Sequence, residues 1–218
     1  DNMEAVTKRW VEDRLDPLRI TSFLVSGASA GGPYASTFMA GTSVATAKFD
    51  WSYNTSVVSS QSISASAPHS VGTVSPASVR TLTMGFIAVV NSTKTWTLTA
   101  TDSSGTVNAT GTLQFYPPTY VGVSALDAVT NGLLNGLPFW LQPNSYVSTS
   151  VVAGAKYIWI AFPSSWAAPR IFINGLNVTG WVYTSFSHTN AAGSTQVYQC
   201  YRSENLLHGT DPISVQIT

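Results

Sequence analysis

The chain has 218 residues, a formal net charge of zero, and 10 basic against 10 acidic side chains. That length holds one large domain or two ordinary ones, each with its own core. With no basic run to neutralise phosphates and no apolar stretch of the ~20 residues a spanning helix needs, neither a nucleic-acid partner nor membrane insertion is expected.

The few charges are unevenly spread. Asp1, Glu4, Lys8, Arg9, Glu12, Asp13, Arg14, Asp16 and Arg19 crowd into DNMEAVTKRWVEDRLDPLR, too charged for a signal-peptide core. Met3, Val6 and Trp10 lie on one i, i+3, i+7 stripe that Val11 and Leu15 extend, so this segment predicts a short amphipathic helix. Asp16-Pro17 stops it, because the residue before a proline is pushed out of the α region. An isolated helix of this length is marginal in water, so its stripe needs a partner, either its own domain or another subunit.

From Ile20 the period becomes two. In AKFDWSY, Ala47, Phe49, Trp51 and Tyr53 share one face and Lys48, Asp50 and Ser52 the other, as in a half-buried strand. WTLTATDSSGTVNATGTLQFY predicts a β-hairpin: Trp96, Leu98 and Ala100 alternate with threonines, Asp102-Ser103-Ser104-Gly105 turns, and Val107, Ala109, Leu113 and Phe115 resume. Pro117-Pro118 cannot donate to a ladder and marks a boundary between domains.

Beyond it, Ser124 and Asp127 form a capping-box pattern, and Leu126, Val129 and Leu133 share a face, predicting a helix over 124–134. KYIWIAF, RIFING, TQVYQCY and ISVQI read as further strands between turns rich in Pro, Gly, Asn and Ser. The lone cysteine, Cys200, excludes an internal disulfide and reads as a small buried residue. The expected fold is therefore all-β: two consecutive β-sandwich domains of immunoglobulin-like size, 18–117 and 118–218, preceded by the helix of residues 1–17.

Candidate chemistry is sparse. GASAG, residues 27–31, matches G-x-S-x-G with Ser29 at its centre, and Asp127 with His188 or His208 comes later in hydrolase order. A nucleophile elbow needs a strand feeding directly into a helix, yet Gly31, Gly32 and Pro33 come next, so a surface loop with an ordinary serine is expected. His69, His188 and His208 lack neighbours at metal-ligand spacing. A glycosidase carboxylate pair has to be assembled by folding, for example from Asp127, Glu204 and Asp211. Catalytic residues, cofactor and metal are all expected to be absent. Trp140, Trp159, Trp166, Trp181, Tyr183 and Tyr201 concentrate in the second half, where such rings either pack or stack on sugars. Trp166, Trp181 and Tyr183 are the candidates for receptor or glycan contact.

The ordered series ITSF, GTSVATAKFDWSYN, the WTLTATDSSGTVNATGTLQFY hairpin, YVGVS, YIWIAFPSSWAAPRIFINGL and YQCYRSENLLHGTDPISVQI resembles a group of tailed-bacteriophage virion proteins. These are appendage proteins of tails, fibres and baseplates, and the resemblance covers about residues 18–218. The long insert GASAGGPYASTFMAG departs from the compact version of the pattern. The resemblance implies a non-enzymatic structural component on the virion exterior, bound to other virion proteins through its N-terminal segment, with Met3, Val6, Trp10 and Val11 at the assembly interface. It implies a homotrimer by analogy. Alternatives are a receptor- or glycan-binding tip contacting a host-surface glycan or protein, and a head fibre or decoration protein. A hydrolase or a secreted adhesin ranks last.

Overall fold

The computed structural model describes residues 17–54, 58–65, 71–75, 77–89, 92–141, 147–167, 170–207 and 211–217, with backbone alone for 86–89. Met3, Val6, Trp10 and Val11 of the expected helix lie outside the described residues, as do His69 and His208. The protein is all-β. Its strands are β1 (Ile20–Ala28), β2 (Thr37–Met39), β3 (Ser43–Tyr53), β4 (Ser60–Ala65), β5 (Gly72–Thr73), β6 (Thr81–Val89), β7 (Lys94–Asp102), β8 (Gly105–Tyr116) and β9 (Thr119–Ser124). After the helix α1 (Asn131–Asn135) come β10 (Phe139–Trp140), β11 (Val147–Val151), β12 (Tyr157–Pro163), β13 (Ile171–Ile173), β14 (Leu176–Asn177), β15 (Trp181–Thr189), β16 (Thr195–Ser203) and β17 (Ile213–Ile217). The chain forms two compact units: residues up to Ser36 with Ser43–Gln114, and Thr37–Thr42 with Phe115–Thr218.

In the first unit an antiparallel sheet β1-β3-β6 faces a second sheet containing β8, β7, β4 and β5 in that order. The inward residues are those that alternation selects: Ala47, Phe49 and Trp51 from β3, and Trp96, Leu98 and Ala100 from β7. Phe49 meets Trp96 edge to face, ring centroids 5.5 Å apart. Val44 is buried out of phase with Ala47, and the β3–β6 register shifts between Val44 and Thr46, where β6 carries one residue more than β3. Gly111 is set by packing, since a Cβ there would lie 2.5 Å from Val25 Cγ2. Gln61, only 2% exposed, is satisfied: Oε1 accepts from Trp51 Nε1–H and Tyr53 O–H, both at 3.0 Å, and Nε2–H donates to the Val79 carbonyl. The hairpin closes at the expected turn, with Asp102 Oδ1 accepting from Ser104 N–H at 2.7 Å.

In the second unit the sheet β10-β9-β12-β16-β15 is covered on both faces. On one face Val121, Ile158, Ile160 and Phe162 share a core with Val147, Ile171, Val215 and Ile217 of the sheet β11-β17-β13-β14. On the other, Tyr120, Trp159, Ala161, Tyr198 and Cys200 pack with Leu133, Leu134 and Leu137, from α1 and the chain just after it. KYIWIAF is a near-continuous apolar run for that reason: its strand has no solvent face. Gly122 keeps this cover close, because a Cβ there would come within 2.9 Å of Leu137.

The helix expected over 124–134 is shortened to the five residues of α1. Ser124 Oγ accepts from Leu126 N–H in a local turn, whereas the N-cap is Thr130, whose Oγ1 accepts from Leu133 N–H at 3.0 Å. Leu126 is consequently exposed rather than on a helical stripe.

Candidate functional site

The second unit carries most of the site candidates. On β15 and β16, Trp181 pairs with Ser203 and Tyr183 with Tyr201, so the two β15 aromatics share one face of the sheet. Tyr201 stacks on Phe162 at 5.5 Å, and Tyr183 leans on Tyr201 at 5.4 Å. Trp181 is half-buried, donates from Nε1 to the Val178 carbonyl at 3.0 Å, and lines a cleft of about 290 Å³ with Ile158, Ile173, Leu207 and Glu204. Trp166 packs against the same core. Of the three aromatics singled out for receptor contact, two are built into the core and Tyr183, 54% exposed, offers a ring face to solvent.

The opposite face of the sheet holds a second cleft, of about 400 Å³. Its floor is Trp159, Arg202, Val182, Thr184 and Phe186, and its wall is Asp127, Ala128 and Val129 from the segment after β9. The Arg202 guanidinium lies 4.2 Å from the centroid of the Tyr157 ring, a cation–π contact. Arg202 escaped the sequence reading, although the signal was there: it is one of very few charges beyond residue 19 and sits in a strand otherwise spaced for packing.

Between that floor and α1 lies a buried imidazole with a polar partner on each nitrogen. His188 is 0% exposed, with Nδ1 2.9 Å from Asn131 Oδ1 and Nε2 2.9 Å from Tyr120 Oη. Asn131 Oδ1 also accepts the Thr189 backbone N–H. As that atom is an acceptor, His188 carries its proton on Nδ1, and neutral Nε2 accepts from the Tyr120 O–H. Burial lowers the His188 pKa from its ordinary 6.5 and raises that of Tyr120. Tyr198, whose O–H donates to the Pro118 carbonyl at 2.9 Å, is raised too, chiefly by burial, and the buried Cys200 thiol is pushed up to about 12. The group ties α1, β9 and β15 together.

The remaining candidates are dispersed. Ser29 is exposed just after β1, and the chain turns back there: the Gly32 N–H donates to the Ser29 carbonyl, and Gly27 bridges Ala35. A strand leading into a turn and a return bridge lacks the strand-to-helix geometry of an elbow. Asp127 and Glu204 line the two different clefts, on opposite faces of one sheet, and Asp211 is exposed ahead of β17. Among the described residues no three His, Cys, Asp or Glu side chains gather in a metal-binding group. No helix among them is long and apolar enough to cross a membrane. No protein-family model, curated protein or solved structure matches the chain.

Proposed function

We propose that this chain is a structural component of a bacteriophage virion: an exterior tail, fibre or baseplate appendage, attached to other virion proteins through its N-terminal segment. The observation that carries this reading is the division of labour along the chain. Nine of its 20 Asp, Glu, Lys and Arg residues fall in the first 19, and the sparsely charged remainder folds into two all-β units. Each unit has facing antiparallel sheets, which supports reading both as immunoglobulin-like sandwiches. Apolar side chains remain on the surface, among them Leu24, Leu176, Tyr183 and Val197. Sister copies in a homotrimer bury such surface, and the charged segment supplies the orientation of docking.

Deletion of residues 1–16 tests the attachment. Leu18, 2% exposed, already belongs to a core cluster with Val58 and Ala100, so the truncated chain is expected to melt at the temperature of the full one. Its incorporation into particles is expected to be lost, because burying Met3, Val6 and Trp10 contributes about 1.5–3 kcal/mol each before ordering costs. Trp10→Ala shifts incorporation in the same direction. A truncated protein that melts far lower places the segment in a domain core, and one that still enters particles places attachment on the β units.

A further inference from the structure

Arg202 stands where an arginine is rarely left alone. It lies on β16 between Trp159 and Val182 across the ladder, and its guanidinium covers the Tyr157 ring. Its Nε–H is buried without an acceptor, whereas nearly all buried donors in proteins are paired. Asp127 occupies the facing wall of the same cleft, yet among the described residues no ion pair joins the two. A guanidinium only donates and a carboxylate only accepts. A group that bridges them has to accept from the one and donate to the other, which is the chemistry of a hydroxyl. Exposed Thr184 adds a third polar contact, and Val182 and Phe186 supply apolar surface beside it. The cleft, at about 400 Å³, falls in the range of small-ligand sites.

We propose that this cleft binds a neutral saccharide through one pyranose ring. Ring hydroxyls accept from the part of the Arg202 guanidinium that lines the cleft, its Nε–H being out of a ligand's reach, and donate to Asp127, and the C–H face of the sugar rests on Val182 and Phe186. An acidic sugar loses on Asp127 what its carboxylate gains on Arg202, and a simple cation loses on Arg202 what it gains on Asp127, so a neutral ring that satisfies both is favoured. The site lies on the opposite face of the sheet from Trp181 and Tyr183, and it holds whether or not the chain is a virion component.

The test is saturation-transfer NMR and titration of the full chain with the methyl glycosides of glucose, galactose, mannose and N-acetylglucosamine, with N-acetylneuraminic acid as the acidic counterpart. At least one neutral glycoside is expected to bind. Asp127→Ala, at an exposed position, is expected to keep the melting temperature and weaken binding about tenfold or more, the ~1.4 kcal/mol of a lost charged hydrogen bond. Arg202→Gln weakens it likewise, and if loss of the Tyr157 contact unfolds that variant, Asp127→Ala carries the test. Tyr183→Ala is expected to bind as the parent does. The proposal is overturned if no neutral glycoside binds the parent chain, if only the acidic sugar binds, if Asp127→Ala binds unchanged, or if Tyr183→Ala abolishes binding.

Discussion

Trp96→Ala is expected to cost the first unit about 3–5 kcal/mol, the range for emptying a fully buried aromatic site. Trp96 is 0% exposed, stands edge-on to Phe49, and shares its face of β7 with Leu98 and Ala100, both likewise 0% exposed. The strands around it are held by antiparallel ladders on both sides, so the cavity cannot collapse cheaply. Against the ~5–15 kcal/mol that stabilises an ordinary domain, such a loss removes a large share of the unit's stability. Denaturant unfolding followed through hydrogen exchange of the β3 and β7 amides measures it. A change below about 1 kcal/mol contradicts the role given to this core.

The second unit is expected to lose stability as the pH falls. His188 is neutral inside the fold and its pKa is lowered there by burial, so below about 6.5 the unfolded chain takes up a proton that the folded chain refuses. The contribution is complete above about pH 6.5 and is lost progressively as the pH drops toward the lowered folded value. A proton on Nε2 also turns that atom from acceptor to donor and displaces the Tyr120 O–H from its partner. His188→Gln is expected to lower stability at pH 8, by about 1–3 kcal/mol for each buried group left unpaired. The same change flattens the loss between pH 8 and pH 5. Thermal melts of both proteins across that range decide it, and an identical pH slope in parent and variant contradicts the role given to His188.

Much of the fold was legible because binary alternation is a local property. Ala47, Phe49 and Trp51, and the hairpin from Trp96 to Phe115, have the burial that a period of two demands. The helix expected over 124–134 came out too long because a capping box and a competing Ser turn share one sequence signature, and Thr130, six residues later, wins as the cap. The register shift between Val44 and Thr46, where β6 carries the extra residue, depends on the partner strand, and no single-strand pattern carries it. The site residues were harder still. Trp166, Trp181 and Tyr183 look alike in sequence, and only the placement of the facing sheet decides which of them is covered. Arg202 and Asp127 are 75 positions apart, and nothing local links a charge on β16 to a turn after β9.

The chain's proposed place on the exterior of a virion is tested by immunogold electron microscopy of intact purified particles whose genome encodes it. Antibody raised against residues 17–218 is expected to decorate the tail or its fibres and baseplate at repeated positions, on particles that have not been opened. Particles that carry no label, while the protein is recovered in full from the particle-free fraction, contradict that placement.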